Sequence, residues 1–285
     1  MKKIALSLIA GSLLFAGNNS FNGYSYVIFG AGNFNYSEKF IYTFNSAYTA
    51  DSGKKYLPGQ SVAVKSNIQV TSPMYFSGGI VKFNDNWDLS MDFASTLKPN
   101  QTTEDWKDRG DDSVIVSNYA TIMTNSARFL LHYKLTNQHR LTFGVHYVLN
   151  TFKRYNDPDA ETTHLVEETS ASVMADLGYW FESSTASQEG FRIKYSITGG
   201  YPVYQDVTNT AAPNLTFSNK KGYNVDTSFY IGYTLFKGLE LGLYTGYSYM
   251  YRDGGTKYYK GQKVIWPTNI TQIFSGGLQI TWNFN

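Results

Sequence analysis

Residues 239–251 read LELGLYTGYSYMY, an alternating pattern that indicates the fold class. Leucine, threonine and tyrosine occupy every second position, with a glutamate, two glycines, a serine, a tyrosine and a methionine between them. Side chains of a β-strand point alternately to opposite faces, so a period of two indicates a strand with two different surroundings. A tilted strand of this length can also cross the hydrocarbon core of a membrane.

The same alternation recurs along the chain, which predicts an all-β fold: a transmembrane antiparallel up-and-down β-barrel of ten strands. Short links at 84–86, 136–139, 182–190 and 237–238 alternate with long polar links at 37–65, 98–117, 154–167, 205–221 and 252–270. This asymmetry is typical of short periplasmic turns and long extracellular loops. The predicted strands are 22–36, 66–83, 86–97, 118–135, 139–153, 168–181, 191–204, 222–236, 239–252 and 271–284.

Two alternatives concern the architecture. Residues 37–65 contain further apolar runs, which either extend the first two strands above the membrane or add a hairpin and make twelve strands. A soluble β-sandwich also alternates, but its strands are usually shorter and its loops do not sort by length.

Composition supports the membrane barrel. Of 285 residues, 16% are charged and 17% aromatic, against about a quarter charged in an average soluble domain. Disorder is excluded, because it requires few aromatic residues and high charge. Cysteine is absent, which excludes a disulfide framework, a thiolate metal site and a cysteine nucleophile.

The N-terminus predicts export. Lys2 and Lys3 precede an apolar run at 4–16, which is too short for a membrane helix but typical of a signal peptide. We place cleavage after Ala16, so that 17–285 forms the outer-membrane barrel domain. Without the two lysines the chain has 22 basic and 22 acidic residues, and this neutral balance does not favour nucleic-acid binding.

Charged residues within the strands are expected on the lumen face, since a charge facing lipid near the midplane costs several kcal/mol. We expect one ionic network across the lower lumen, in which Asp92 meets Arg128 or His132, and Asp176 meets Lys194 and His146. Both signs are interleaved, so the network is expected to occlude the lumen. The residues placed inward are Asp88, Asp92, Arg128, His132, Lys134, His146, Asp176, Arg192, Lys194, Asp226 and Glu240.

No catalytic set, cofactor motif or metal site is predicted. No His-x-x-x-His pair occurs, and neither Ser196 nor Ser228 lies in a hydrolase motif. The acidic run at 108–112 includes Arg109 among its would-be calcium ligands, so we interpret it as a solvated loop. The loop at 252–270 combines basic residues with Tyr258 and Tyr259; we interpret it as an ordinary exposed loop, and the alternative is that it holds lipid phosphates or a glycan.

The last strand, 275–285, reads SGGLQITWNFN. It resembles the C-terminal assembly signal of Gram-negative outer-membrane β-barrel proteins, in which a glycine precedes alternating apolar residues and a final aromatic. Here the aromatic is penultimate. The resemblance implies outer-membrane localisation and insertion by the barrel assembly machinery; the residues that carry it are Gly277, Leu278, Ile280, Trp282 and Phe284.

Two smaller resemblances concern function. The length is similar to that of autotransporter translocators, and we expect a solitary barrel without a passenger. The segment 104–108, EDWKD, looks like the acidic-tryptophan segment of omptin proteases, where Asp105 matches one catalytic aspartate. Thr103 stands at the position of the other, and 205–221 contains no histidine for the omptin Asp-x-His pair.

We therefore expect a monomeric, non-enzymatic outer-membrane barrel with a charged, largely occluded lumen. Its expected role is structural, or surface interaction through the extracellular loops. The expected partners are outer-membrane lipid, lipopolysaccharide and the barrel assembly machinery. The alternatives are a narrow diffusion channel for small solutes and an omptin-like or lipase-like hydrolase.

Overall fold

The computed structural model describes residues 22–156, 165–183, 190–236, 238–259 and 261–284. The predicted signal peptide at 1–16 lies outside these ranges. No helix in the described ranges is long and apolar enough to cross a membrane. In chain order the strands are β1 (Gly23–Thr43), β2 (Tyr48–Thr49), β3 (Lys55–Tyr56), β4 (Ser61–Lys82), β5 (Trp87–Thr96), β6 (Gln101–Asp108), β7 (Val114–Lys134), β8 (His139–Tyr155), β9 (Val166–Glu182), β10 (Gly190–Asn209), β11 (Phe217–Ser218), β12 (Gly222–Phe236), β13 (Leu239–Arg252), β14 (Gly255–Tyr259), β15 (Gln262–Trp266) and β16 (Thr268–Phe284).

Within the described chain, ten of these strands form one closed antiparallel barrel, which confirms the predicted fold class and strand count. The order around the wall is β1, β4, β5, β7, β8, β9, β10, β12, β13 and β16. Closure occurs at β1, which pairs with β4 on one side and with β16 on the other. All backbone groups in the wall can therefore be paired within the sheet, as a bilayer requires.

The segment at 37–65 extends strands rather than adding any to the barrel. β1 and β4 stay paired as far as Thr43 and Ser61, well above their predicted ends. The short β2–β3 hairpin sits between them and forms a separate small sheet. The twelve-strand alternative is therefore wrong for the barrel itself.

β5 and β6 occupy one position in the wall. β5 pairs with the lower parts of β4 and β7, while β6 pairs with their upper parts. The chain leaves the ladder at 97–100, which includes Pro99, a residue without an amide hydrogen for the ladder. β6 then continues the line of β5 into the extracellular region.

The two faces of the wall differ as the period of two predicts. Large apolar side chains such as Leu177, Leu243 and Phe129 are exposed on the outside. A contiguous apolar belt of this kind marks a surface that is covered by lipid rather than water. The eleven charged residues predicted to face inward are all buried or half-buried.

Aromatic residues flank the belt at the periplasmic side. Phe83, Phe191 and Phe236 are exposed next to the short turns, where a periplasmic girdle is expected. Phe152, near the extracellular end of β8, does not belong to an outer girdle, because it is buried inside the barrel and stacks on Tyr36. It lies an even number of residues from the inward-facing His146, so the alternation places it on the lumen face.

The C-terminal strand β16 presents the predicted assembly residues to the outside. Leu278 is 66% exposed and Trp282 is 45% exposed, whereas Gln279 and Thr281 between them are buried on the lumen side. Gly277 lies opposite Gly30 of β1 at the closing seam.

We expect replacement of both Trp282 and Phe284 by asparagine to reduce outer-membrane levels several-fold, because the outward apolar face of β16 would lose its aromatic end. Quantitative blotting of outer-membrane fractions, with heat-modifiable gel mobility as a folding assay, measures this. The control is deletion of Asn285, which should leave the level unchanged. Normal levels of the double variant would show that the C-terminal pattern is not the assembly signal.

Candidate functional site in the barrel lumen

The lumen contains several layers of side chains, and an ionic layer closes its periplasmic end. Arg192 of β10 is 2% exposed and lies at the centre of this layer. Its guanidinium bonds to Glu182, donates to Glu240 Oε2 at 2.9 Å, and donates to Asn283 Oδ1 at 3.0 Å. Two carboxylates, one on β9 and one on β13, are therefore held by one cation on β10.

The same layer continues around the wall. Arg140 lies 3.3 Å from Glu182 Oε2 and 2.8 Å from Asp88 Oδ2, and Lys134 lies 2.8 Å from the other Asp88 oxygen. Lys194 lies 3.6 Å from Glu240 Oε1 and 3.8 Å from the ring centroid of Tyr24. These contacts form a continuous chain of alternating charge close to the short turns.

A second ionic cluster lies at mid-lumen around Arg128. Its Nε is 3.3 Å from Asp176 Oδ2, and its Nη2 bonds to Asp226 and lies 3.1 Å from His146 Nδ1. Asn224 donates to Asp226 Oδ2 at 2.5 Å. One guanidinium thus links strands β7, β8, β9 and β12 across the barrel.

The six residues expected in one network fall into separate environments. Arg128, His146 and Asp176 lie together at mid-lumen, whereas Lys194 belongs to the periplasmic layer. Asp92 stands opposite Arg128 in the ladder but accepts a 2.6 Å hydrogen bond from Tyr26.

His132 contacts hydroxyl groups rather than a carboxylate. Its ring nitrogens lie 2.9 Å from Thr142 Oγ1 and 2.9 Å from Ser90 Oγ. The backbone register determines which residues lie side by side on neighbouring strands. A long side chain can instead contact residues several strands away, and the sequence does not show those contacts.

A third ionic layer lies at the extracellular end. Arg154 lies 2.7 Å from Glu38 Oε2 and 2.7 Å from Glu104 Oε2, and Arg252 lies 2.8 Å from Glu168 Oε1. Sequence reasoning missed these five residues because they lie in or beside segments that were assigned to loops. The sequence did contain a signal, because these residues lie an even number of positions from inward-facing residues of the same strands. It was missed because β1, β8 and β9 continue further than predicted.

An apolar layer separates the upper and middle ionic groups. It was not predicted, because the lumen was expected to be polar throughout. On the upper parts of β1 and β4 the inward side chains are apolar and the outward ones, such as Asn35, Asn67 and Gln69, are polar, so the alternation is the reverse of the one expected for a polar lumen. The buried members are Phe34, Tyr36, Ile68, Val70, Met74, Ala120, Ile122 and Phe152.

A cavity of about 180 Å³ remains at mid-lumen, below the apolar layer. Asp92, Arg128 and Asp226 line it together with apolar and hydroxyl side chains. A water needs about 10–15 Å³ measured in this way, so the space exceeds that of a single buried water many times over.

The mid-lumen cluster also has the composition of a metal site. His146, Asp176 and Asp226 bring one ligand atom each within 4.8 Å of one another. Arg128 contacts all three of these side chains. Its guanidinium therefore already supplies the positive charge that a metal ion would bring.

The residues considered for hydrolysis are not assembled into a catalytic set in the described chain. Ser196 and Ser228 bond to each other at 2.7 Å, and His146 bonds to Arg128 and Asn224. Asp105 is half-buried and accepts from Ser117 Oγ at 2.8 Å. The carboxylate of that segment that faces the lumen belongs to the neighbouring Glu104, which forms an ion pair with Arg154.

The acidic run at 108–112 lies in the extracellular region and is neutralised by lysine. Lys54 Nζ lies 2.6 Å from Asp108 Oδ2 and 2.7 Å from Asp111 Oδ2, and Lys65 lies 2.6 Å from Asp112. The hydrogen bond from Lys54 lowers the pKa of Asp108, and with bonds from Ser113 it lowers the pKa of Asp111 to about 2. The same contacts raise the pKa of Lys54 above its ordinary value.

A solved outer-membrane protein shares this fold. The outer membrane protease OmpT from Escherichia coli aligns with a TM-score of 0.62 at 9% identity, over 94% of this chain and 99% of that chain. The translocator domain of the autotransporter NalP from Neisseria meningitidis aligns with a TM-score of 0.36 at 10% identity, over 99% and 95% of the two chains. No protein-family model and no curated protein matches the sequence. The likeness to OmpT shows the fold of an outer-membrane β-barrel, with which the predicted outer-membrane localisation agrees.

We expect Arg192→Ala to lower the free energy of unfolding by about 3–5 kcal/mol, because it removes the nearest cation of two buried carboxylates, Glu182 and Glu240. Urea titration of the protein in lipid vesicles measures the change. Adding Glu240→Gln should recover part of the loss, since it removes one stranded charge. Arg109→Ala, on an exposed arginine, is the control; an equal effect of the two single variants would contradict the dry ionic layer.

We expect the carboxyl of Asp111 to titrate near pH 2 in the wild type and closer to the ordinary value of about 3.9 in Lys54→Met. Because the folded-state pKa is lowered, the ion pair stabilises the docked β2–β3 hairpin above about pH 4, and this stabilisation is lost as the pH falls toward 2. Carboxyl-carbon NMR titration measures the midpoints. Lys55→Met is the matched control, and identical midpoints in all three proteins would refute the bridge.

Proposed function

We propose that the protein is an outer-membrane barrel that is closed to solutes and serves to hold an ordered extracellular structure at the cell surface. The observation that carries this proposal is the stacking of lumen layers. From the periplasmic side these are the Arg192 layer, the Arg128 cluster with its cavity, the apolar layer and the Arg154 layer. The barrel then acts as an anchor rather than a pore.

The charge arrangement supports closure. A selective pore is expected to be lined by an excess of one sign, whereas here each ionic layer contains both signs in direct contact. The apolar layer adds a second barrier, since water and ions leave narrow apolar constrictions. The lumen therefore favours a closed barrel over a narrow diffusion channel.

In the described ranges, the extracellular part of the chain forms packed hairpins with small hydrophobic cores of their own. On one side the β2–β3 hairpin packs over a cluster that includes Phe44, Tyr56 and Ile115. On the other side Phe217 stacks on Trp266 at 5.0 Å, next to the β14–β15 hairpin. Two small cores hold these lobes in place, so a partner can bind without first ordering the loops.

The proposed partners follow from the surface chemistry. The apolar belt matches lipid, and the assembly residues of β16 match the barrel assembly machinery. On the β14–β15 hairpin, Tyr258 is exposed beside Lys257 and Lys263. This mixture of lysine and tyrosine suits the phosphates of lipopolysaccharide. We also propose that the barrel works as a monomer.

We expect the refolded wild type to show no steady single-channel conductance in a planar bilayer. Arg192→Ala combined with Phe152→Ala should conduct, because it opens one ionic and one apolar layer. Phe129→Ala, on a lipid-facing phenylalanine, is the control for nonspecific loosening of the wall. A steady ohmic conductance of the wild type would instead establish the diffusion channel.

A further inference from the structure

The mid-lumen cavity is enclosed on both sides. Trp180, Lys194 and Tyr24 lie at its lower end, next to the ionic layer of Arg192. Met74 and Phe76 lie at its upper end, where Met74 belongs to the apolar layer and Phe76 packs against it. The cavity is therefore a chamber that lies between the Arg192 layer and the apolar layer.

Negative charge exceeds positive charge around this chamber. Asp92, Asp176 and Asp226 lie at this depth, and Arg128 is the cation in contact with two of them. Lys194, at the lower end, has its own carboxylate partner in Glu240. The surplus of carboxylates favours a cation in the chamber.

Asp92 is the carboxylate that is open to a ligand. It lines the cavity, it is half-buried, and within the described chain no cation lies within ion-pair distance of it. Its contact is the 2.6 Å hydrogen bond from Tyr26 to Oδ1. A Cβ at Gly78 would come within 2.5 Å of that oxygen, so the glycine makes room for the pair.

Aromatic and apolar side chains form much of the remaining wall. Tyr26, Tyr244 and Phe76 line the chamber, and the rings of Phe76 and Tyr244 pack at 5.4 Å. Aromatic faces attract cations, and the attraction is stronger when the cation is shielded from water. An organic cation with an apolar body would contact both kinds of surface.

Two buried hydroxyl groups in the wall have no hydrogen-bond partner. They are Tyr24 Oη and Thr198 Oγ1, on side chains that are 2% and 3% exposed. Buried polar atoms are normally paired, so unpaired ones that line a cavity indicate a polar occupant. A hydroxyl oxygen can accept from an N–H group.

We propose that the chamber binds a compact organic ammonium ion. Its charged nitrogen pairs with Asp92, its apolar part contacts Phe76 and Tyr244, and its remaining N–H groups reach hydroxyl oxygens of the wall. The volume is below the range that accepts drug-sized ligands, which restricts the ligand to a small amine.

The structure also indicates the route by which a ligand reaches the chamber. Asn150, Met250 and Thr271 line both this chamber and a smaller pocket beneath Arg252 and Glu168. Asn150 Nδ2 lies 3.8 Å from Met250 Sδ across the junction. Methionine is flexible, so rotation of Met250 can connect the chamber with this smaller pocket on its extracellular side while the Arg192 layer stays intact.

The test uses the refolded full-length barrel in detergent micelles, with benzylammonium as the probe and neutral benzyl alcohol as its uncharged counterpart. Isothermal titration calorimetry gives the affinities. We expect benzylammonium to bind at least tenfold more tightly than benzyl alcohol. Asp92→Asn, which keeps the shape and removes the charge, should weaken benzylammonium at least tenfold and leave benzyl alcohol unchanged.

Asp85→Asn is the matched control, because it removes one carboxylate in an exposed periplasmic turn and should not change either affinity. Met250→Ala should raise the association rate of benzylammonium several-fold if this residue is the gate. Equal affinities of the two probes, or an unchanged affinity of Asp92→Asn, would overturn the ammonium site. Absence of binding to both the wild type and Met250→Ala would overturn it as well.

Discussion

The structure depends on the pairing of β1 with β16, which joins the two ends of the described chain. Seventeen residue pairs, from Gly23 with Phe284 to Lys39 with Thr268, close the sheet into a cylinder. A bilayer offers no hydrogen bonds to an open strand edge, so closure is the condition for a sheet to span it. Once the sheet is closed, each strand has one face toward lipid and one toward a narrow interior.

Filling that interior is the second constraint. A barrel of ten strands leaves little more space than one of eight, which side chains fill completely. Arg192 and Arg128 extend across the interior and each bond to acids from two other strands. Such pairs offset the cost of removing charges from water only when each partner is satisfied. This explains why the charges occur in layers of mixed sign, and why an apolar layer can lie between them.

The chamber at mid-lumen is the exception to complete filling. Beside the Arg128 cluster, part of its wall consists of a tyrosine–aspartate contact and unpaired hydroxyls. A purely structural barrel does not need this cavity. The layers that close the barrel also separate the cavity from the two ends of the lumen. Closure to solutes and storage of a small ligand are therefore compatible in one molecule, because the first depends on the layers and the second on the space between them.

Alternation along the sequence was enough to predict a ten-stranded barrel, the lipid-facing side of β16 and the inward direction of charges such as Asp88 and Glu240. These features depend on local geometry, since neighbouring side chains of a strand must point to opposite faces. The partners inside were decided by the tertiary structure alone. Arg128 lies opposite Asp92 in the ladder and yet pairs with Asp176 and Asp226, because a guanidinium on a long side chain reaches across a barrel whose curvature and stagger no single strand encodes.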